Sequence, residues 1–294
     1  MKTARLLVLT LVAMIAFAGN SLLCRLALRH MSIDAASFTF IRILSGAIAL
    51  WLILKFSGRS ERSAGHWYSA LALFAYAAGF SFAYINLPAG TGALLLFVAV
   101  QATMILWGLC KGERLRGHQC IGLALAAGGL VLLLSPGLAT PPIGGSILML
   151  SAGVAWGIYS LRGRAAGNPV QSTAGNFLRA LPMAALLGIV LFPWAHFDRV
   201  GVLCAAVSGA LTSGVGYAIW YAALPGLKAT SAATVQLSVP VLAAVGGILF
   251  LDEPITLRFL VSSVAVLSGI ALVVTQQGPQ TPKTVEAEIR LTKT

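Results

Sequence analysis

The chain has 294 residues, of which 58% are apolar and 10% charged, and a formal net charge of +12. Soluble domains carry roughly 25% charged residues, so this composition excludes a soluble globular protein. The basic excess does not indicate nucleic acid, because Lys and Arg stand singly at the ends of apolar runs and form no patch interleaved with aromatics.

Apolar runs of about 20 residues follow one another along the chain, each long enough at about 1.5 Å per residue to cross a hydrocarbon layer of about 30 Å. The first occupies 6–28, behind Lys2 and Arg5, and contains Ala16-Phe17-Ala18, a triplet also found at signal-peptide cleavage sites. The run continues past that triplet and has a counterpart later in the chain, which favours a retained helix. Further spans fall at 35–56, 67–87, 92–110 and 120–134 and, after a Pro- and Gly-rich stretch, at 146–161, 172–194, 200–224, 229–251 and 257–275. The predicted fold class is an all-α integral membrane protein with ten transmembrane helices. The tail 276–294 mixes Pro, Thr, Lys and Glu and is predicted to be disordered.

Charge in the connecting segments predicts orientation. Of the 20 Lys and Arg residues, Arg25, Arg29, Arg199 and Arg258 fall on one side, Arg42 and Arg179 lie within spans, and the rest fall on the side of the N-terminus. The positive-inside rule then places both termini in the cytoplasm, as for a multi-pass protein of a bacterial-type inner membrane. Cys24, Cys110, Cys120 and Cys204 form no spaced pair, so neither a metal site nor a disulfide framework is expected.

The chain is duplicated. Phe40-Ile41-Arg42 has its counterpart in Phe177-Leu178-Arg179, the arginines lying 137 positions apart, and Tyr84 to Pro88 matches Tyr221 to Pro225 at the same offset. Phe17, Asn20 and Arg25 correspond to Trp156, Tyr159 and Arg164 at 139, and Gly112-Glu113 corresponds to Asp252-Glu253 at 140. The predicted units are 1–137 and 138–275. Five crossings per unit is an odd number, so the second copy enters from the opposite face, and secondary transporters place their substrate site between such inverted repeats.

These motifs resemble the ten-helix, EamA-like branch of the drug/metabolite transporter superfamily. The resemblance rests on an aromatic, a small pair, Asn and then a basic residue in the first helix (Phe17-Ala18-Gly19-Asn20 and Arg25). An aromatic-x-Arg pattern in the second (Phe40-Ile41-Arg42) and a Gly-Glu pair closing the fourth (Gly112-Glu113) complete it. It implies export of small metabolites, with amino acids a frequent cargo. The chain departs from the pattern in having Phe17 where Trp is common, and Val239 and Val100 where an acidic residue often stands.

The carboxylates and histidines all fall in loops, at helix ends or in the tail, which disfavours a carboxylate-based proton relay. No zinc-protease His pair and no phosphate-binding Gly-rich loop occurs, so neither an enzyme nor a cofactor is expected. Tyr76, Phe80 and Tyr84 recur at every fourth residue on one helix, and Ser213, Tyr217 and Tyr221 repeat that stripe in the second unit. Phe17 with Asn20 and Trp156 with Tyr159 share helix faces, and Gln101 and Gln236 are lone amides in apolar spans that need partners inside the bundle. Together these form the candidate lining of a cavity for an amphiphilic small molecule, although aromatic stripes in membrane helices also serve packing alone. Arg42 and Arg179, about 10 Å below the surface by helical rise, are candidates for bonding helix-end carbonyls or holding a gate. The expected reading is an amino-acid exporter working by alternating access as a monomer or weak dimer in the bilayer. A carrier of a drug cation, sugar derivative or lipid intermediate, and a receptor or scaffold, remain as alternatives.

Overall fold

The computed structural model describes residues 3–57, 65–110, 112, 116–136, 140–163, 168–227 and 229–275. The predicted disordered tail and the Gly-Glu partner Glu113 lie outside the described residues. Helices account for the architecture, and no strand occurs among the described residues. Their order is α1 (Thr3–His30), α2 (Ala35–Phe56), α3 (Trp67–Tyr84), α4 (Ala89–Cys110), α5 (Gly117–Leu134), α6 (Ile143–Gly163) and α7 (Pro169–Val190). Then come α8 (Arg199–Val207), a π-helical segment (Ser208–Val215), α9 (Gly216–Ala223), α10 (Ala229–Gln236), α11 (Ser238–Leu251) and α12 (Leu257–Thr275).

Nine of the described helical stretches are long and apolar enough to cross a membrane, with α8, the π-helical segment and α9 forming one crossing. The tenth crossing is α3, whose 18 residues span about 27 Å. Its Trp, Tyr and Ser content makes it less apolar than the others. The side chains that a soluble protein would hide are exposed along the outside, among them Leu7, Leu11 and Ile15 on α1, Ile121 and Val131 on α5, and Val264 on α12. A continuous apolar exterior of this extent is stable only in hydrocarbon. The chain is a multi-pass membrane protein.

Two spans differ from their sequence-based expectation. The ninth crossing, expected as one helix over 229–251, breaks at Leu237 between α10 and α11. Pro240 explains the break: it cannot donate to the carbonyl of Gln236, four residues back, and its ring crowds that carbonyl. The eighth crossing, expected to be regular, passes through a π-helical segment rich in Gly, Ser and Thr.

Packing follows the duplication. Helix α2 lies against α7, α4 against α11 and α5 against α12, so each meets its own counterpart. Contacts of α3 and α4 with α6 have their equivalents in contacts of α8, the π-helical segment, α9 and α11 with α1. The fold is therefore two inverted five-helix repeats related by a pseudo-two-fold axis. Close approach depends on absent side chains: a Cβ on Gly122 would stand 2.6 Å from the carbonyl oxygen of Gly269. This brings α5 and α12 together backbone to backbone, as small residues do in membrane helix pairs.

Candidate functional site

The π-helical segment sets the geometry at the axis. A Cβ on Gly209 would collide with the Arg42 carbonyl oxygen and the Ser45 hydroxyl. Only glycine lets this segment lie directly on α2. The wider π turn then presents Ser208, Thr212 and Ser213 inward, all three buried. Local π-helical geometry of this kind is frequent at functional sites.

Around that contact lies a polar network in an otherwise apolar core. Asn20 on α1 donates from Nδ2 to the Tyr76 hydroxyl at 3.3 Å. Its Oδ1 accepts from the Ser208 hydroxyl at 2.7 Å and from Thr212 at 3.3 Å. Arg42 on α2 is buried and turns into the bundle. Its Nη2 donates to the Tyr76 hydroxyl at 3.0 Å and its Nε to the Ser213 hydroxyl at 3.3 Å. Tyr76 and Ser213 are counterparts in the two repeats, so the guanidinium sits across the pseudo-two-fold axis. Its Cζ lies 5.2 Å from the centre of the Tyr76 ring and 4.9 Å from that of Phe80, distances at which an aromatic face attracts a cation.

Next to this network is a small cavity lined by Phe17, Asn20, Ser21, Tyr76, Phe80, Leu96, Phe97, Trp156, Thr212 and Tyr217. Its volume is about 20 Å³, room for a single water molecule. Its walls come from both repeats and interlock: Tyr76 lies 4.8 Å from Trp156, Trp156 lies 5.1 Å from Tyr217, and Phe17 meets Tyr217 edge-on at 5.9 Å. No carboxylate is among these lining residues.

Six of the candidate residues named from the sequence thus meet in one place: Phe17, Asn20, Tyr76, Phe80, Trp156 and Tyr217. Others bracket it. Tyr84 packs edge-on against Phe80 and donates to the Ala89 carbonyl, while Tyr159 stacks on Trp156 and donates to Thr173. Tyr221 comes near Gly163 at the end of α6. Gln101 is buried in α4 away from the lining, and Gln236 bonds the Ala232 carbonyl one turn back in its own helix. Arg179 donates to the Gly175 carbonyl within α7 and is only half-buried.

Residues named from the sequence only as repeat and motif markers close one end of the bundle. Arg25 on α1 forms an ion pair with Glu253, Nε to Oε1, at 2.9 Å, and its Nη1 donates to the Tyr84 and Ile85 carbonyls at 3.0 Å. These are the unpaired carbonyls at the C-terminal end of α3, where a cation is favoured. Glu253 Oε2 accepts from the Ala89 amide at 2.7 Å, at the N-terminus of α4. Glu253 stands just before α12 but serves the N-terminus of α4 instead, following Asp252, whose backbone is left-handed with φ of 49°. The sequence held a signal for the pair, since an Arg and a Glu occur at matching positions in both repeats. The Ser208 and Thr212 hydroxyls carried no comparable signal.

The same face is tied together by Asp34, the N-cap of α2. Its Oδ1 accepts from the Ala36 and Ser37 amides and its Oδ2 from the His196 amide at 3.0 Å. Burial pushes the Asp34 carboxyl up, but the Ser37 hydroxyl and the amides of Ser37, His196 and Ala36 outweigh it. They hold the group below the ordinary carboxylate range.

Known proteins share this organisation. A family model described as the EamA-like transporter family matches the chain twice, over residues 4–135 and 143–275. An uncharacterized protein of Pseudomonas aeruginosa is 55% identical over 93% of this chain and 96% of its own length. A probable amino-acid metabolite efflux pump of Escherichia coli is 28% identical over 65% of this chain and 70% of its own. The threonine/homoserine exporter RhtA of E. coli is 34% identical over 45% and 47%, respectively. A solved crystal structure, 15% identical, shares the fold with a TM-score of 0.64 over 94% of this chain and 99% of its own.

Proposed function

Because the chain belongs to the EamA-like transporter family of the drug/metabolite transporter superfamily, and is a membrane transporter of that type, we propose that it exports small organic metabolites, above all amino acids, by alternating access. The observation that carries this reading is the cavity between the repeats, where apolar aromatic walls from both halves surround a few converging polar groups. Two of the relatives bear names of amino-acid or amino-acid-metabolite exporters, which supports the cargo class. The cavity has room for about one water, so cargo enters only when the halves rock apart.

In this reading the repeats divide between residues 137 and 138, both termini face the cytoplasm of a bacterial-type inner membrane, and the carrier works as a monomer or weak dimer. The first four crossings of each repeat surround the cavity, and α5 and α12 stand behind them as a close-packed pair. The Arg25–Glu253 pair holds the outer end closed. Described carboxylates and histidines lie at helix ends or in loops, away from the cavity, so transport runs without a carboxylate relay.

The test is uptake and counterflow in proteoliposomes against a panel of radiolabelled amino acids, sugars and organic cations, with and without a pH gradient. Saturable, competable amino-acid flux that ignores the gradient is expected. No saturable flux of any solute sinks the carrier reading, and flux accelerated by the gradient sinks the uncoupled mechanism.

A further inference from the structure

Arg42 carries a feature that its neighbours do not resolve. The side chain is buried, its Nη1 has no hydrogen-bond partner, and no described carboxylate pairs with it. The ion pair at the end of the bundle shows the contrast, since Arg25 has both a carboxylate and two carbonyls. A guanidinium at membrane depth without a counter-ion is costly, and residues of this kind normally face a wet cavity or a ligand path.

The geometry points to Arg42 as the receptor for a carboxylate carried by the cargo. This deepens the exporter reading and rests on it. The guanidinium lies against Tyr76 and Phe80, which are also walls of the cavity. Its Nε and Nη2 are already fixed by Ser213 and Tyr76, so the plane of the fork is set before a ligand arrives. An immobilised arginine with spare donors matches the two oxygens of a carboxylate, and this complementarity is what distinguishes arginine from lysine at such sites.

The lining of the cavity fits the same cargo. It holds neutral hydroxyl and amide groups and aromatic faces but no acid, and Arg42, against the wall residues Tyr76 and Phe80, is the charge beside it, so an anion meets one opposite charge there and a cation meets none. An ammonium group elsewhere on the cargo is served by the faces of Phe17, Trp156 and Tyr217. A single cation balances a carboxylate and leaves a phosphate dianion half compensated. The substrate class is therefore a small amphiphile bearing one carboxylate, such as an amino-acid zwitterion or an apolar acid. A cationic drug is disfavoured by the same charge, and a neutral sugar gains no charge pairing from it.

The experiment compares binding of two matched series to the detergent-solubilised protein, by calorimetry and thermal unfolding. One series is built on L-threonine and the other on L-phenylalanine. Each contains the amino acid, the deaminated acid, the amino-acid amide and the decarboxylated amine, with phenyl phosphate added. In at least one series the acids should bind at least tenfold more tightly than the amide and the amine. Arg42→Gln should shrink that preference below threefold, and Arg42→Lys should keep part of it. The wild-type preference needs no variant, so misfolding of a variant does not remove the test. Equal binding of acid and amide, a preference retained in Arg42→Gln, no acid binding in either series, or tighter phosphate binding overturns the assignment. Acid-selective binding without flux would instead remove the exporter reading and leave the carboxylate site standing.

Discussion

Arg25 and Arg42 lie on neighbouring helices and are both buried, at 7% and 2% exposure, yet they are held in opposite ways. Arg25 is saturated: a carboxylate and two helix-end carbonyls compensate its charge, and the pair joins α1, α3, α4 and the turn after α11. Arg42 is bonded only to hydroxyls and laid against rings, with one nitrogen unpartnered. A compensated charge contributes to the fold. An uncompensated one costs stability, and a protein that retains it has another use for it.

The contrast is broken most forcefully by removing each charge. Arg25→Met leaves Glu253 buried and unpaired and should cost about 3–5 kcal/mol, the usual loss when one partner of a buried pair is deleted. Thermal unfolding in detergent measures it. Arg42→Met should change stability by no more than about 1 kcal/mol, because relief of desolvation offsets two lost hydrogen bonds. If Arg42→Met proves as damaging as Arg25→Met, the two arginines are both structural and the contrast fails.

A smaller effect sharpens the same point from the backbone. Gly209→Val pushes the π-helical segment off α2 and should cost about 1–3 kcal/mol as an overpacking change. It should also loosen the Arg42–Ser213 contact, read as a loss of selectivity in ligand binding.

Asp34 supplies a charge held by amides at the surface end. Its carboxyl is depressed in the folded state, so its contribution is fully present above the unfolded value of about 3.9 and is lost as pH falls through the lower folded value. Asp34→Ala should cost about 1 kcal/mol at neutral pH as a lost N-cap. Asp34→Asn should keep the cap and lose the acid-side dependence, visible in unfolding midpoints between about pH 5 and pH 2. The smallest effect is Ser213→Ala, at about 0.6 kcal/mol, the average for a side-chain hydrogen bond between membrane helices. The same unfolding assay resolves it beside the wild type.

The sequence carried much of this architecture and stopped at side-chain direction. Apolar run lengths located the crossings, and the offset between Arg42 and Arg179 revealed the duplication that the helix packing repeats. The every-fourth-residue stripe through Tyr76 and Phe80 placed the two on one face, and that face lines the cavity. Depth along a helix, however, does not say where a long side chain turns. Arg42 and Arg179 hold the same position in their repeats, but only one guanidinium fits across the axis between Tyr76 and Ser213. Arg179 bonds its own helix instead. Both members of the Arg25–Glu253 pair recur in the two repeats, but their pairing was hidden for a different reason: they are 228 residues apart and come from opposite repeats. Pro240 carried a local signal for the break, since its missing amide leaves the Gln236 carbonyl without a helical donor, but Pro182 inside the unbroken α7 shows that a proline alone does not decide the outcome.

On the carboxylate-receptor reading, Arg42 is kept for transport and not for folding. Flux of one competable amino acid through proteoliposomes of matched protein content tests it directly, with wild type, Arg42→Gln and Arg179→Gln compared alongside their unfolding temperatures. Arg42→Gln should fold as well as the wild type and lose flux by at least tenfold, while Arg179→Gln should keep at least a third of it. Equal loss in both variants, or flux retained in Arg42→Gln, would contradict it.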